Sequence, residues 1–215
     1  MRQSCKTPEA TFVVYFTLER IGTVSEASLK AKLVSLVAES STTMQALRAA
    51  RSLNLGSWCI GAGAVRNLVW DHLHGFKVAT KPEDIDLVFY EANDLSQDLE
   101  RLLESRLTIA APQFKWEVVN QAAVHKWLAS QSKQAVEPFR SLVEGVASWP
   151  EVATCVGVSL TSSEQIEVVA PHGLIDLFEM VVRWNPSRVS KEVYQERVAQ
   201  KRFSERWPEV KVLAC

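Results

Sequence analysis

Two aspartates separated by one residue, Asp84 and Asp86, have the types and spacing most suited to chemistry in this sequence. They belong to the segment DIDLVFY (84–90), whose side chains alternate as they do in a β-strand. A strand projects alternate residues from one face, so both carboxylates are expected to point into the same space. Such carboxylates repel each other unless a cation joins them, and Mg²⁺ accepts carboxylate, phosphate and water oxygens. The pair therefore predicts a divalent metal site.

A third carboxylate, Glu117, lies 31 residues after Asp86 in the segment FKWEVV (114–119), which also alternates as a strand. If the two strands pair, Glu117 can face the same site. Three carboxylates could then hold two metal ions for an in-line displacement at phosphorus. The alternative is an exposed strand residue paired with a lysine.

A glycine turn precedes these acids. Gly61 and Gly63 stand between a short predicted strand, SWCI (57–60), and a predicted helix within GAGAVRNLVWDHLHG (61–75). Backbone N–H groups and the helix dipole at such a turn can bind phosphate. Arg66 occupies the last glycine position of the dinucleotide pattern GxGxxG, which argues against a Rossmann site. The motifs of P-loop, zincin and serine-hydrolase sites do not occur in the sequence.

Helices and strands mix along the chain without a repeat, which predicts an α+β fold. The hydrophobic spacing predicts further helices over residues 26–38, 42–53 with Ser41 as N-cap, 94–107, 121–129, 137–149, 173–184 and 191–203. The segments 152–160 and 165–170, separated by TSSE, predict a hairpin.

Composition narrows the class of protein. The 215 residues carry 24 basic and 25 acidic side chains, so the near-neutral charge argues against wholesale nucleic-acid binding. The longest stretch without charge has 14 residues, between Arg51 and Arg66, which is too short for a membrane span. The four cysteines lack metal-site spacing, and the N-terminus lacks a secretory pattern. We therefore expect a cytoplasmic protein with no membrane partner, formed by a single domain over residues 25–215 and an N-terminal extension over 1–24.

The order of glycine turn, helix, DxD strand and later strand acid resembles the DNA polymerase beta nucleotidyltransferase superfamily. IGAGAVRN and DIDLVFY are similar to the head domains of bacterial tRNA CCA-adding enzymes and poly(A) polymerases. A small stand-alone bacterial nucleotidyltransferase-like family resembles the sequence over about residues 28–213. The shared segments, besides 61–75 and 84–90, are WEVVNQAAVH (116–125), SWPEVATCVGVSL (148–160), APHGLIDLFEMVVRWNP (170–186) and YQERVAQKRFSERWP (194–208).

This resemblance implies a polymerase-beta-like fold, a mixed sheet with flanking helices and an additional C-terminal hairpin and helices. It implies that Asp84 and Asp86 bind Mg²⁺, or Mn²⁺, and that Glu117 is the third carboxylate, which helps to activate the attacking hydroxyl. The matching residues for nucleotide binding are Gly61, Gly63, Arg66, Asn120, Gln121 and His125. For His125, an ordinary position on a helix face is an equal alternative. Ala123 departs from the family pattern, which would place an arginine there.

Two functions follow as hypotheses. The favoured one is transfer of a nucleoside monophosphate from a nucleoside triphosphate (NTP) to a hydroxyl acceptor, with release of pyrophosphate. The rival, motivated by Ala123, is a catalytically silent nucleotide-binding or regulatory protein that keeps the fold. The acceptor stays open between a small molecule, a protein and RNA, and so does the oligomeric state. A basic cluster near the C-terminus favours a solvated helix face over an RNA surface; its members are Lys191, Arg197, Lys201 and Arg202.

Overall fold

A computed structural model describes residues 25–132 and 136–215 of the protein. The N-terminal extension expected over residues 1–24 therefore lies outside the described residues. Within the described parts of the chain, each helix is too short or too polar to span a lipid bilayer.

Two helices open the described chain. Helix α1 (Glu26–Glu39) buries the leucine and valine stripe that its spacing predicts, and α2 (Ser41–Arg51) follows directly. The N-cap of α2 is Ser40 rather than the predicted Ser41, because the Ser40 hydroxyl accepts the backbone N–H of Thr43 at 3.2 Å.

A five-stranded mixed sheet forms the centre of the fold. Its strands are β1 (Trp58–Gly61), β2 (Ile85–Phe89), β3 (Trp116–Asn120), β4 (Gly157–Leu160) and β5 (Ile166–Val169). They lie in the order β3-β2-β1-β4-β5. Only the β2–β3 pair in this sheet is parallel, and the expected hairpin is the antiparallel pair β4–β5. The predicted α+β class with a mixed sheet is confirmed.

The helices flank this sheet. Helix α3 (Gly63–Leu73) follows β1, and α4 (Gln97–Ala110) carries the chain from β2 to β3, as a parallel pair requires. Helices α5 (Val124–Ser132) and α6 (Leu142–Ala147) follow β3, and a 3₁₀ turn over Val152–Thr154 replaces the predicted start of β4. The helix predicted over 137–149 is thus confined to its second half.

The C-terminal region differs most from the sequence predictions. The helix predicted over 173–184 ends after one turn, α7 (Ile175–Phe178), since Met180 adopts a left-handed backbone with φ of 56°. The next residues form β6 (Val181–Val182), which pairs in parallel with β7 (Lys211–Val212). The helix predicted over 191–203 is divided at Arg202, also left-handed, into α8 (Lys191–Lys201) and α9 (Phe203–Arg206).

An aromatic cluster joins the C-terminal helices to α3. Trp70 and Trp207 are fully buried, and their ring centroids are 5.2 Å apart. Phe203 meets Trp70 edge to face at 5.8 Å, and the Trp207 indole N–H donates to the Asp71 carboxylate at 2.7 Å. These contacts fix α9 and the residue that follows it against the helix that begins at the glycine turn.

Candidate active site

The three predicted carboxylates converge at the edge between β2 and β3. Asp86 is the direct parallel neighbour of Glu117, and Asp84 immediately precedes β2. One carboxylate oxygen from each residue lies within 4.8 Å of the others. Three oxygen donors at this separation suit a divalent cation such as Mg²⁺. We call Asp84, Asp86 and Glu117 the carboxylate cluster.

The cluster is electrostatically strained in the absence of a cation. Burial, together with the neighbouring charges of Asp84 and Glu117, raises the pKa of Asp86 to about 7 from its ordinary value of 3.8. Lys201 and Arg66 oppose this rise only in part. Lys115, two residues before Glu117, makes an ion pair with Asp84 at 3.7 Å. A bound cation would relieve this repulsion.

The glycine turn lies beside the carboxylate cluster, where Ala62 and Gly63 line the same cavity as the three carboxylates and Gly61 does not. Gly61 ends β1, and a Cβ at this position would lie 2.6 Å from the indole of Trp149, so only glycine permits this approach. Gly63 begins α3, where a Cβ would meet nothing closer than the Arg66 guanidinium at 3.6 Å. Ala62 precedes the helix with φ of 49° and provides no side-chain cap. The first N–H groups of α3 are consequently available to an anion.

Arg66 is almost entirely buried one turn into α3. Its guanidinium lies over three rings, those of Trp70, Phe203 and Trp207, at 5.0 to 5.6 Å from their centroids. One terminal nitrogen donates to Asn67 at 2.9 Å, but the Nε has no hydrogen-bond partner among residues 25–132 and 136–215. Burial lowers the pKa of Arg66 to about 10, so the side chain keeps its charge at neutral pH. A buried cation with an unmet donor fits an anionic ligand.

All three carboxylates line one cavity of about 210 Å³, the central cavity, together with Gly63 and Arg66. Three further cations line it, Arg197 and Lys201 from α8 and Arg206 from the end of α9. With Arg66 they form what we call the cationic wall. Carboxylates and cations in one cavity are the requirements of a site for a metal ion and a polyphosphate.

The sequence predicted one member of this wall, Arg66. The interpretation of the basic cluster as a solvated helix face is wrong for Arg197 and Lys201, which line the central cavity. Lys191 and Arg202 do face elsewhere, since Lys191 lies over the Trp184 ring and Arg202 pairs with Glu205. The spacing of four between Arg197 and Lys201 is a signal for one shared helix face. Which way that face points depends on the tertiary structure.

The residues of the cationic wall differ in how firmly their ion pairs hold them. Arg197 donates to Glu151 at 2.8 Å, and the Glu151 carboxylate is fully buried and also accepts the hydroxyl of Thr154 at 3.0 Å. Lys201 pairs with the exposed carboxylate of Glu83 at 2.9 Å. Arg197 is thus fixed in place, whereas Lys201 can exchange its partner for a ligand.

The remaining predicted residues do not line the central cavity. The Asn120 amide bridges the loop after β2, donating to Glu91 and Asp94 carbonyls at 2.8 and 2.9 Å and accepting two backbone N–H groups. Gln121 is buried and lines an adjoining cavity of about 230 Å³ that also contacts Asp86. His125 is half-buried and its Nδ1 lies 2.8 Å from the Ala122 carbonyl oxygen. The Asn120 contacts fit support of the loop more directly than contact with a nucleotide.

This combination of fold and site defines a class. A mixed sheet that presents a carboxylate cluster beside a glycine turn is the polymerase-beta-like nucleotidyltransferase fold. An NMR structure described as revealing a CCA-adding enzyme head domain has this architecture. It matches with a TM-score of 0.72 and 28% identity, over 86% of this chain and 96% of that one.

The family follows from the sequence match. A nucleotidyltransferase family model matches residues 48–212, and the chain belongs to this family. The matched range contains the glycine turn, the carboxylate cluster and the cationic wall.

Longer structures are more distant. A tRNA nucleotidyltransferase solved with a primer tRNA and an incoming ATP analog is 18% identical, with a TM-score of 0.48 over 78% of this chain and 46% of that one. A CCA-adding enzyme in complex with CTP is 13% identical, with a TM-score of 0.48 over 86% and 43%. This chain therefore spans less than half of those proteins. A search of curated proteins found no match.

Proposed function

We propose that this protein transfers a nucleoside monophosphate from an NTP to a hydroxyl acceptor and releases pyrophosphate. The observation that carries the proposal is the central cavity, in which the carboxylate cluster and the cationic wall meet. The nucleotidyltransferase family and the head-domain likeness support nucleotidyl transfer in general.

The cationic wall and the carboxylate cluster would bind different groups. The cationic wall and the uncapped N-terminus of α3 would bind the triphosphate, with Arg66 and Arg197 as the preformed contacts. Asp84, Asp86 and Glu117 would hold Mg²⁺ or Mn²⁺. A divalent cation bound there supplies Lewis-acid stabilisation of the charge that develops on the phosphoryl oxygens.

The reaction is an in-line displacement at the α-phosphorus. The acceptor oxygen forms the new bond to phosphorus, the bond to the oxygen that bridges the α- and β-phosphates breaks, and pyrophosphate leaves with that electron pair. Glu117, the most exposed of the three carboxylates, would accept the hydroxyl proton. The cationic wall holds the charge of the leaving pyrophosphate.

Calorimetry of NTP binding with and without Mg²⁺ tests the proposal. The double variant Asp84→Asn/Asp86→Asn should lose metal-dependent binding. Asp98→Asn, an exposed acid of α4 that pairs with Arg101, is the control and should bind as the wild type does. NTP binding that needs no metal and is unchanged in the double variant would contradict the proposed nucleotidyl transfer.

A transfer assay then separates the enzyme from the silent binding protein. The protein is incubated with labelled NTP, Mg²⁺ and fractions of small molecules, protein or RNA. Label that reaches an acceptor in the wild type and not in the double variant supports transfer. Metal-dependent NTP binding without label on any fraction would favour the silent protein.

A further inference from the structure

A second, larger cavity adjoins the carboxylate cluster. It measures about 630 Å³, within the size range of small-molecule sites, and we call it the tryptophan cavity. Glu117 lines both this cavity and the central one, whereas Asp84 and Asp86 line only the central cavity of the two. The carboxylate with the greatest exposure is therefore the point where the two cavities meet.

The walls of the tryptophan cavity are mainly apolar. Trp127 of α5 presents an indole that is 62% exposed. The other apolar residues that line the cavity are Leu95, Val119, Ala123 and Val124. A cavity that combines an exposed indole with aliphatic side chains suits a flat ring, which gains area and stacking from such a surface.

The charges of this cavity differ from those of the central one. None of the four residues of the cationic wall lines it, and among its described lining residues the cation is Lys126, whose Nζ donates to the Leu95 carbonyl at 3.3 Å. In the described part of the chain, the carboxylates that line it are Glu100 and Glu117. An anionic ligand would meet repulsion here, whereas an ammonium group near Glu100 and an indole would be attracted.

Position 123 belongs to the same surface. The family resemblance implies an arginine there, yet Ala123 lines the tryptophan cavity without a charge. Ala123 therefore adds apolar surface beside Glu117, and the three members of the carboxylate cluster are all in place.

The chemistry of in-line displacement gives this cavity a role. The leaving pyrophosphate is held where the cations are, so the attacking oxygen must approach from the side away from them. The tryptophan cavity contacts Glu117 and has no residue of the cationic wall. A hydroxyl held there would lie beside the carboxylate that takes its proton.

We propose that the tryptophan cavity binds the acceptor, and that the acceptor is a small molecule without negative charge that carries a hydroxyl group and a flat apolar body. This inference rests on the proposed nucleotidyl transfer. The acceptor stacks on Trp127, and its hydroxyl attacks the α-phosphorus as described above. An RNA end is disfavoured because its phosphates find a single lysine among the described lining residues.

A matched pair of probes tests the proposal. Tyramine and 4-hydroxyphenylacetate share a phenol ring and differ in the sign of their charge, and a short RNA with a free 3′-hydroxyl represents the polyanion. NMR titration of the full chain should show saturable tyramine binding that is about tenfold tighter than that of the carboxylate. No saturable binding of tyramine up to its solubility limit, or tighter binding of the RNA, would overturn the proposal.

Variants locate the binding and separate the two hypotheses. Trp127→Ala should weaken tyramine binding about tenfold and leave Mg²⁺-dependent NTP binding unchanged. Ile109→Ala, an exposed apolar residue of α4 outside the cavity, is the control. Equal tyramine binding by Trp127→Ala and wild type would overturn the site. If the proposed function itself is wrong, NTP binding by the wild type should not depend on Mg²⁺. The Trp127→Ala variant does not bear on that result, so the two failures can be told apart.

Discussion

The two sides of the central cavity are built in different ways. The carboxylate side comes from adjacent strands, where Asp86 and Glu117 are direct neighbours in a parallel pair. The cationic side comes from α3 and from the C-terminal helices, over 100 residues later, joined by the packing of Trp70 with Phe203 and Trp207. The first side depends on backbone register and the second on side-chain packing. Variants should therefore affect the two sides differently.

The largest effect is expected from Arg197→Met, which removes an ion pair from the cationic side. It leaves the fully buried Glu151 carboxylate without its cationic partner, and the free energy of unfolding should fall by about 2–4 kcal/mol. Urea denaturation measures this loss. The double variant Arg197→Met/Glu151→Gln should recover part of it, because the uncompensated charge is then gone. An unchanged midpoint of urea denaturation in Arg197→Met would show that the cationic side does not depend on the Arg197–Glu151 ion pair.

A medium effect with the opposite sign is expected on the carboxylate side. The raised pKa of Asp86 means that the folded protein binds this proton more tightly than the unfolded chain does. The stabilisation that protonated Asp86 contributes to the folded state is fully present below its ordinary pKa of 3.8. It is lost as the pH rises through the folded-state pKa of about 7. In EDTA, Asp86→Asn should therefore be more stable than wild type by about 2 kcal/mol at pH 8, and by much less at pH 4.

Denaturation at both pH values tests this difference, with Asp98→Asn as the control for loss of one exposed acid. Mg²⁺ should stabilise the wild type at pH 8 and not the Asp86→Asn variant. If the two proteins differ equally at pH 4 and pH 8, the electrostatic account of the cluster is wrong.

The smallest effect on stability is expected from Lys201→Gln. Its ion pair with the exposed Glu83 lies at the surface, so the free energy of unfolding should change by less than about 1 kcal/mol. The KM for NTP should rise about tenfold with little change in kcat, because the proposed contact of Lys201 with the triphosphate would be the same in the ground state and the transition state. Lys191→Gln on the same helix is the matched control and should keep the wild-type KM. Equal KM values for Lys201→Gln and Lys191→Gln would show that Lys201 does not bind the NTP.

Features that depend on local pattern could be predicted from the sequence. The alternation in DIDLVFY identified β2 and the shared direction of Asp84 and Asp86, and the glycine turn located the start of α3. Glu117 was predicted as the third carboxylate on the condition that two strands pair, and the parallel register meets that condition. Periods of two and 3.6 residues express which face of an element is buried, and this information is local.

The other features depend on packing between distant parts of the chain. The sequence does not show that Met180 ends a predicted helix, that Arg197, Lys201 and Arg206 turn toward the carboxylates, or that Ala123 lines a second cavity. These outcomes arise from contacts between residues far apart in the chain, such as the aromatic packing of α3 with α9. A local pattern specifies which residues share a face, but the direction of that face follows from the packing of the whole core.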